Sequence, residues 1–376
     1  MKNIDKAVNH IVEKMEQNYL TLNNLFPDSH TICGKYPKVS NYLIEAGWTS
    51  GFWTGMLWMM TMYSKEKKYQ LLAEYHLTSF RARLREEILI NHHDLGFLFL
   101  PSAYSQYKLT NFSKAKDTVV WAADKLCERF VVPGEYIQAW GEIDKNKNGK
   151  FIIDCNLNVP LLFKAHDLTG EQKYLDIAVK HLKTASQLLI RNDGSTFHSF
   201  NMNAIDGKPL FGETVQGFSD TSCWSRGQAW AVYGFAIAYK RTGLEIFKQP
   251  YFKVTSYFIK NLPNDLVPYW DLVFTDADSA TQEKDTSAAA IFINGVLTMS
   301  ETLGEENSEF KDIAIKCLES LTQNYLSDQN SEGILSQGVY NKKLNVGVNE
   351  SVIWGDFYFM QAIFLLKGLD FYKIWE

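Results

Sequence analysis

Asn91-His92-His93-Asp94 sets an amide, two imidazoles and a carboxylate in a row, directly before the apolar run Leu95-Gly96-Phe97. Adjacent histidines point in different directions at a helix start. The i, i+4 spacing that puts two imidazoles on one helix face is missing, so the cluster is a weak metal site. The plainer reading makes Asp94 a helix N-cap, with the histidines holding loop carbonyls. A second carboxylate, Asp154, follows Phe151-Ile152-Ile153 and opens a further apolar helix through Cys155-Asn156-Leu157-Asn158. If the fold brings Asp94 and Asp154 together, two carboxylates in unlike environments form the arrangement in which one stays protonated as an acid while the other is ionised. Asp154 as a simple cap is the competing reading.

A third group spans Phe197-His198-Ser199-Phe200, Thr214-Val215-Gln216 and Trp224-Ser225-Arg226-Gly227-Gln228-Ala229-Trp230. An arginine flanked by tryptophans at a helix start can pair a carboxylate bidentately while the rings cover a sugar face. Core packing by Trp230 fits its spacing equally well. The stretch from Asp144 to Gly149 imitates the first half of an EF-hand loop, but Cys155 stands at the twelfth position, where a bidentate Glu is needed. A polar turn is the better reading. No G-x-S-x-G, phosphate-binding loop or dinucleotide fingerprint stands out, so serine hydrolase, NTPase and dehydrogenase chemistry lack support.

The elements that must position these residues are helical. Apolar periodicity near 3.6 recurs in about a dozen segments, and strand-like alternation is confined mainly to Ser195–Gln216. An internal repeat, K-Y-x-x-x-A-x-x-H-L, covers Lys68–Leu77 and Lys173–Leu182, with a third copy from Phe310 to Leu318; each copy has one polar face and one apolar stripe. Between the copies lie helices that are apolar nearly all round, starting near 50, 94, 154, 224, 285 and 354. Six helical hairpins result. If they pack side by side and close, the inner helices run parallel and their N-terminal ends gather at one mouth, which predicts an all-α (α/α)6 toroid with its site at that mouth. An open solenoid has the same alternation. A small β-like insert is expected between 192 and 222, and residues 1–376 are read as a single catalytic domain.

With 376 residues, 46% of them hydrophobic, the chain can bury a full core, and 38 Lys+Arg against 43 Asp+Glu provide no basic field for nucleic acid or an anionic membrane. The five cysteines are odd in number and scattered, so neither a disulfide framework nor a zinc ribbon is expected. Met1–Leu20 reads as a charged amphipathic helix rather than a secretion signal, and Gly51–Tyr63 is too short to span a bilayer, which takes about 20 residues. A cytoplasmic protein is expected. Aromatic residues at 14% suit a surface that stacks on sugars or other flat ligands.

Taken together and in order, HHDLGF (His92–Phe97), YIQAWG (Tyr136–Gly141), IIDCNLNVPLL (Ile152–Leu162), FHSF (Phe197–Phe200), QGFSDTSCWSRGQAW (Gln216–Trp230) and IWGDFYF (Ile353–Phe359) resemble the unsaturated glucuronyl hydrolases, glycoside hydrolase family 88. The resemblance runs from about Trp48 to Tyr358. It implies an (α/α)6 barrel, no metal and no cofactor. It also implies a substrate, the Δ4,5-unsaturated uronic acid that polysaccharide lyases leave at the non-reducing end of glycosaminoglycan-type oligosaccharides. The implied chemistry is hydration of the C4=C5 vinyl ether, with Asp154 as the acid that protonates C4 and activates the water, and Asp94 as the supporting carboxylate. His198 and Gln216 match positions that contact the unsaturated ring, Trp48, Trp140, Trp224 and Trp230 match aromatic walls, Arg226 a substrate-facing arginine, and His93 and Tyr340 further contacts.

One departure stands out. Family members that favour sulfated chondroitin or hyaluronan products carry Ser-x-x-Ser-x-Lys before Gly-Val-Asn-Glu; here Asn341–Val346 precedes Gly347–Glu350 without either serine or the final lysine, leaving Lys342 and Lys343 as the nearby cations. The runner-up is an unsaturated rhamnogalacturonyl hydrolase acting on pectin fragments. A sugar isomerase or epimerase on the same toroid, a saturated-sugar glycosidase and a helical binding scaffold are the more distant alternatives. Monomer and dimer are both left open.

Overall fold

The computed structural model describes residues 2–43, 47–144, 148–369 and 374–376. Met1 and the centre of the polar turn expected at 144–149, residues 145–147, lie outside the described residues. The chain alternates outer and inner elements: outer α1 (Lys2–Leu22), inner α2 (Ser50–Ser64), outer α3 (Lys67–Glu86), then a broken inner element of α4 (Leu95–Phe99), a π-helical turn (Leu100–Tyr104) and α5 (Ser105–Thr110). Outer α6 (Ser113–Cys127) follows, then an inner 3-10 turn (Ile153–Leu157) continued by α7 (Pro160–Thr169), and outer α8 (Gln172–Leu188). Inner α9 (Ser225–Thr242), outer α10 (Glu245–Lys260), inner α11 (Thr286–Leu303), outer α12 (Ser308–Asn324) and inner α13 (Ile353–Leu366) complete the series.

The inner segments have no polar face and must line the interior. α13, for example, is buried continuously from Ile353 to Phe364. Two inner elements are interrupted where the sequence puts a proline: Pro101 lies in the π-helical turn, and Pro160 opens α7 after the 3-10 turn. Proline lacks the N–H that an unbroken helix needs. Neighbouring inner elements pack in order around a ring: α2 on α4, α4 on α7, the 3-10 turn on α9, α9 on α11, α11 on α13, and α13 back on α2. The last contact sets Phe52 against Phe357 and Tyr358, with ring centres 5.1 and 5.8 Å apart. The outer ring closes too. α1 packs on α12, and its Glu16 receives Lys68 of α3 at 2.6 Å. Closure makes this an (α/α)6 barrel and excludes the open solenoid.

The repeat turns out to be the glue of the outer ring. In its first two copies, the Lys-Tyr pair reaches a carboxylate on the preceding outer helix: Lys68 and Tyr69 bond Glu16, while Lys173 and Tyr174 bond Asp124. The shared alanines, Ala73, Ala178 and Ala314, are all buried, as are His76, His181 and Cys317. His76 Nδ1 shares a hydrogen bond with Thr54 Oγ1, and His181 Nδ1 accepts the Ile137 N–H at 3.0 Å. Burial pulls both imidazoles down to about 3, so they are neutral structural groups.

Short strands cover the mouth. Two-residue ladders join β1 (Phe26–Pro27) to β2 (Lys38–Val39) and β3 (Phe130–Val131) to β4 (Tyr136–Ile137). β5 (Gly149–Ile152) pairs antiparallel with β6 (Ser199–Met202), which pairs with β7 (Pro209–Glu213), so the expected insert borrows its third strand from outside 192–222. A hairpin of β8 (Gly338–Asn341) and β9 (Val346–Glu350) was not among the sequence expectations. Among the described residues no helix is long and apolar enough to cross a membrane. All five cysteines are free of disulfides.

Candidate active site at the barrel mouth

Gly96 lets the two acidic helix starts meet. A Cβ there would lie 2.4 Å from Asn158 Cα, so only glycine permits α4 and the 3-10 turn to approach this closely. Asn158 then links them: its Nδ2 donates to Asp94 Oδ1 at 3.3 Å, and its Oδ1 accepts the Phe97 N–H at 2.8 Å. The sequence signal for Asn158 was its place four residues after Asp154, one helical turn on, but it received no role. His92 Nε2 donates to Leu89 O at 2.8 Å while its Nδ1 accepts the Asp94 N–H at 3.0 Å, so this histidine does hold a loop carbonyl. Asp94 makes no side-chain capping bond. His93 Nδ1 stands 3.4 Å from Asp94 Oδ1.

Burial alone would raise the Asp94 carboxyl, but His93, the His92 hydrogen bond and Asn158 outweigh it and hold Asp94 below the usual carboxylate range. It is ionised at neutral pH. His93 is buried, both of its ring nitrogens lack a hydrogen-bond partner, and desolvation pulls it below its ordinary value against the opposing charges of Asp94 and Asp154.

Asp154 is delivered by the sheet. The register Ile152↔Ser199 and the bond from Ile153 N–H to His198 O at 2.9 Å bring the two chain segments together. As a result His198 Nε2 lies 3.5 Å from Asp154 Oδ2. His198 Nδ1 accepts the Gln216 N–H at 3.2 Å, so the ring proton belongs on Nε2, facing Asp154. Asp154 Oδ2 is buried and has no hydrogen-bond partner. The facing His198 Nε2 likewise has no hydrogen-bond partner, the two standing just beyond bonding distance.

These groups open on a cavity of about 180 Å3 whose walls include Trp48, His93, Asp94, Trp140, Asp154, Gln216, Arg226 and Tyr340. His92 and Ile152, which were given no substrate role from sequence, also line it. The Trp48 indole N–H points at the Tyr340 hydroxyl, 3.4 Å away. Trp140 is 44% exposed at the rim, its ring edge-on to His93.

Three expected wall or contact residues lie behind the surface. His198 is buried with its Nε2 beside Asp154; Trp224 is buried between His198 and Arg226, with centres 4.5 Å and 4.4 Å away. Trp230 is fully buried against Phe97 and Tyr358. A helix start places successive side chains on different faces, and six residues beyond Trp224 the face has turned to the core.

Arg226 lines the cavity with its donors already engaged by the protein. Its Nη1 donates to Asp285 Oδ2 at 3.0 Å and to Val339 O, and its Nη2 to Gln216 Oε1 at 3.0 Å and Tyr340 O at 2.7 Å. Burial pulls the guanidinium down while Asp285 opposes the shift. The side chain therefore ties the insert, α11 and β8 into one wall. Lys342 is engaged by Glu283 at 2.6 Å, and Lys343 donates to Thr214 O at 3.4 Å. Among the described residues no group of three or more His, Cys, Asp or Glu is placed to hold a metal ion.

Residues 21–373 match the model of Glycosyl Hydrolase Family 88. The chain is 38% identical to the unsaturated chondroitin disaccharide hydrolase of Streptococcus pneumoniae over 99% of its own length and 93% of the relative's. It is 34% identical to the unsaturated glucuronyl hydrolase of Bacillus sp. over 89% and 91%. The crystal structure of unsaturated glucuronyl hydrolase from Streptococcus agalactiae superposes with a TM-score of 0.92 at 36% identity, covering 100% of this chain and 93% of that one. A variant of the Streptococcus agalactiae enzyme complexed with dGlcA-GalNAc6S superposes at 0.84, with 34% identity over 99% and 92%. The closed double ring, the paired acidic helix starts and these matches agree: the chain belongs to glycosyl hydrolase family 88.

Proposed function

We propose that this protein is an unsaturated glucuronyl hydrolase that hydrates the C4=C5 vinyl ether of a Δ4,5-unsaturated uronic acid at the non-reducing end of lyase-generated glycosaminoglycan-type oligosaccharides. The observation that carries the reading is the convergence of Asp94 and Asp154 on one cavity, with His198 Nε2 3.5 Å from Asp154 Oδ2. The names of the relatives and the disaccharide bound to one of them support the same substrate class over the rhamnogalacturonyl alternative.

Protonating carbon needs a carboxylic acid aimed at the ring. In this reading Asp154 passes its proton to C4, and the electron pair of the double bond forms the new C–H bond. Positive charge develops at C5 and the ring oxygen, where a nearby ionised carboxylate stabilises it. Asp154, now ionised, takes a proton from water as the water oxygen bonds to C5. The resulting hemiketal opens to a C5 ketone, and the hemiacetal left at C1 releases the aglycone. The sum is addition of one water across the bond and release of the aglycone as a free sugar. His198, held by Gln216 and Trp224, orients Asp154; Asp94, anchored by Asn158, holds sugar hydroxyls. A positioned general acid contributes about 10²–10⁴ in rate.

The test follows loss of ultraviolet absorbance with unsaturated chondroitin and hyaluronan disaccharides and an unsaturated rhamnogalacturonan fragment, and release of free sugar from a saturated glucuronide. Loss on the glucuronyl substrates with inert saturated sugar is expected. Loss only on the pectin fragment, or hydrolysis of the saturated glucuronide, overturns the reading.

A further inference from the structure

The helix that carries Asp94 cannot set its own position. α4 has five residues and runs straight into the π-helical turn, and isolated helices become stable in water only beyond about 12–15 residues. What packs against α4 therefore decides where the carboxylate stands. Phe97, three residues beyond Asp94, lies at the centre of that packing. Its ring faces Trp48 of the cavity wall, with centres 5.4 Å apart, and Trp230 at 5.1 Å. Its N–H donates to Asn158 Oδ1, and Asn158 Nδ2 in turn donates to Asp94.

From the side away from the mouth, Phe97 meets Trp375. Residues 374–376 belong to none of the inner or outer helices, yet Ile374 and Trp375 are fully buried. The segment is gripped by the later halves of three inner elements, whose starts lie at the mouth. Glu376 Oε1 accepts the Thr298 hydroxyl of α11 at 2.9 Å, its Oε2 pairs with Lys240 of α9 at 2.5 Å, and its main-chain oxygen accepts Lys164 of α7. Trp375 so held reaches into the interior between α4 and α13: its indole N–H donates to Gln361 Oε1 at 3.4 Å, and its ring centre lies 5.9 Å from Phe97 and 6.0 Å from Tyr358. We infer that Trp375 is a positioning residue for the reaction, which holds Phe97, and with it the short helix and Asp94, in place against Asn158. The inference rests on the proposed function above and gives Trp375 no contact with the substrate.

The experiment compares Trp375→Met and Trp375→Phe with Trp58→Met, the same loss at a fully buried tryptophan of α2. It reads kcat and KM on an unsaturated glucuronyl disaccharide beside hydrogen exchange of the Phe97 N–H, each protein at the same interval below its own Tm. Trp375→Met is expected to lower kcat about tenfold, within the hundredfold that a misplacement of about 1 Å can cost, with KM little changed, and to speed exchange at Phe97. Trp375→Phe, which keeps a ring against Phe97, should restore both, whereas Trp58→Met should lower Tm without either change. Added to Asp94→Asn, Trp375→Met should cost little more, because both changes act on the same group. If Trp375→Met fails to fold, Thr298→Val, which loosens the grip on Glu376 without opening the core, decides in its place by the same readouts. Losses that multiply in the double variant, or Phe97 exchange no faster than in Trp58→Met, overturn the positioning role. Wild-type inactivity on the disaccharide overturns the functional reading instead, and the exchange measurement then decides whether Trp375 holds α4.

Discussion

Four carboxylates sit at the starts of inner elements, and neighbouring pairs of them are used in opposite ways. On α11 and α13, Asp285 and Asp356 are saturated. Asp285 accepts the Ser287 N–H and hydroxyl on one oxygen and Arg226 on the other. Asp356 accepts the N–H groups of Ile334 and Leu335 and the Tyr36 hydroxyl. On α4 and the 3-10 turn, Asp94 has one amide donor and two adjacent imidazoles, and Asp154 Oδ2 has no hydrogen bond at all. All four are largely buried. A buried carboxylate whose lone pairs are filled by protein donors holds the barrel together; one whose lone pairs remain free is available to a substrate.

The widest gap between the pairs should appear on the saturated side. Asp285→Ala leaves the buried Arg226 without its counter-ion, and breaking such a pair from one end typically costs about 3–5 kcal/mol; thermal unfolding should show a markedly lowered Tm. By contrast, Asp94→Asn should leave Tm nearly unchanged and lower kcat/KM by about a hundredfold, the size of one preorganised group that stabilises developing charge. A large loss of Tm in that variant would move Asp94 to the structural class.

A smaller effect separates the mouth from the outer ring. His181, with its pKa pulled to about 3, stays neutral in the folded state, while in the unfolded chain it protonates near its ordinary 6.5. Below pH 6.5 the unfolded chain therefore binds more protons, and stability is lost progressively as pH falls towards 3. His181→Gln should start less stable at neutral pH, having disturbed the bond to Ile137 N–H, but lose about 3 kcal/mol less than wild type between pH 7 and pH 4 in denaturant titrations. Parallel curves would contradict that account. The smallest effect concerns sulfate: with Lys342 engaged by Glu283 and the Ser-x-x-Ser-x-Lys element missing, a sulfated chondroitin disaccharide should be no better a substrate than its unsulfated form. A tenfold preference for the sulfated disaccharide in parallel kcat/KM measurements would show that another cation serves it.

The fold was legible because helices apolar all round cannot be mistaken for anything but interior elements, and the repeat marked the outer ones. What it hid were interruptions and late pairings. Pro101 and Pro160 break their inner elements into shorter pieces, and β8 pairs with β9 across a turn that carries no strong hairpin signal. At the site, the two aspartates stood out by their position at apolar helix starts. The roles of the Trp-Arg cluster were harder to see, because spacing cannot say which of several acceptors an arginine will find: Arg226 met Asp285, Gln216 and two carbonyls before any ligand. Asn158 and the orienting bond from Gln216 N–H to His198 depend on contacts between distant segments, made possible by Gly96 and by the β5–β6 register.

The claim that the unpartnered carboxylate does the chemistry is tested most directly on Asp154→Asn, an isosteric change that keeps the shape and removes the acid. Calorimetric titration with an unsaturated glucuronyl disaccharide, alongside the absorbance assay, should show affinity within a few-fold of the wild-type KM and no measurable loss of the double bond. Turnover within tenfold of wild type would contradict the account.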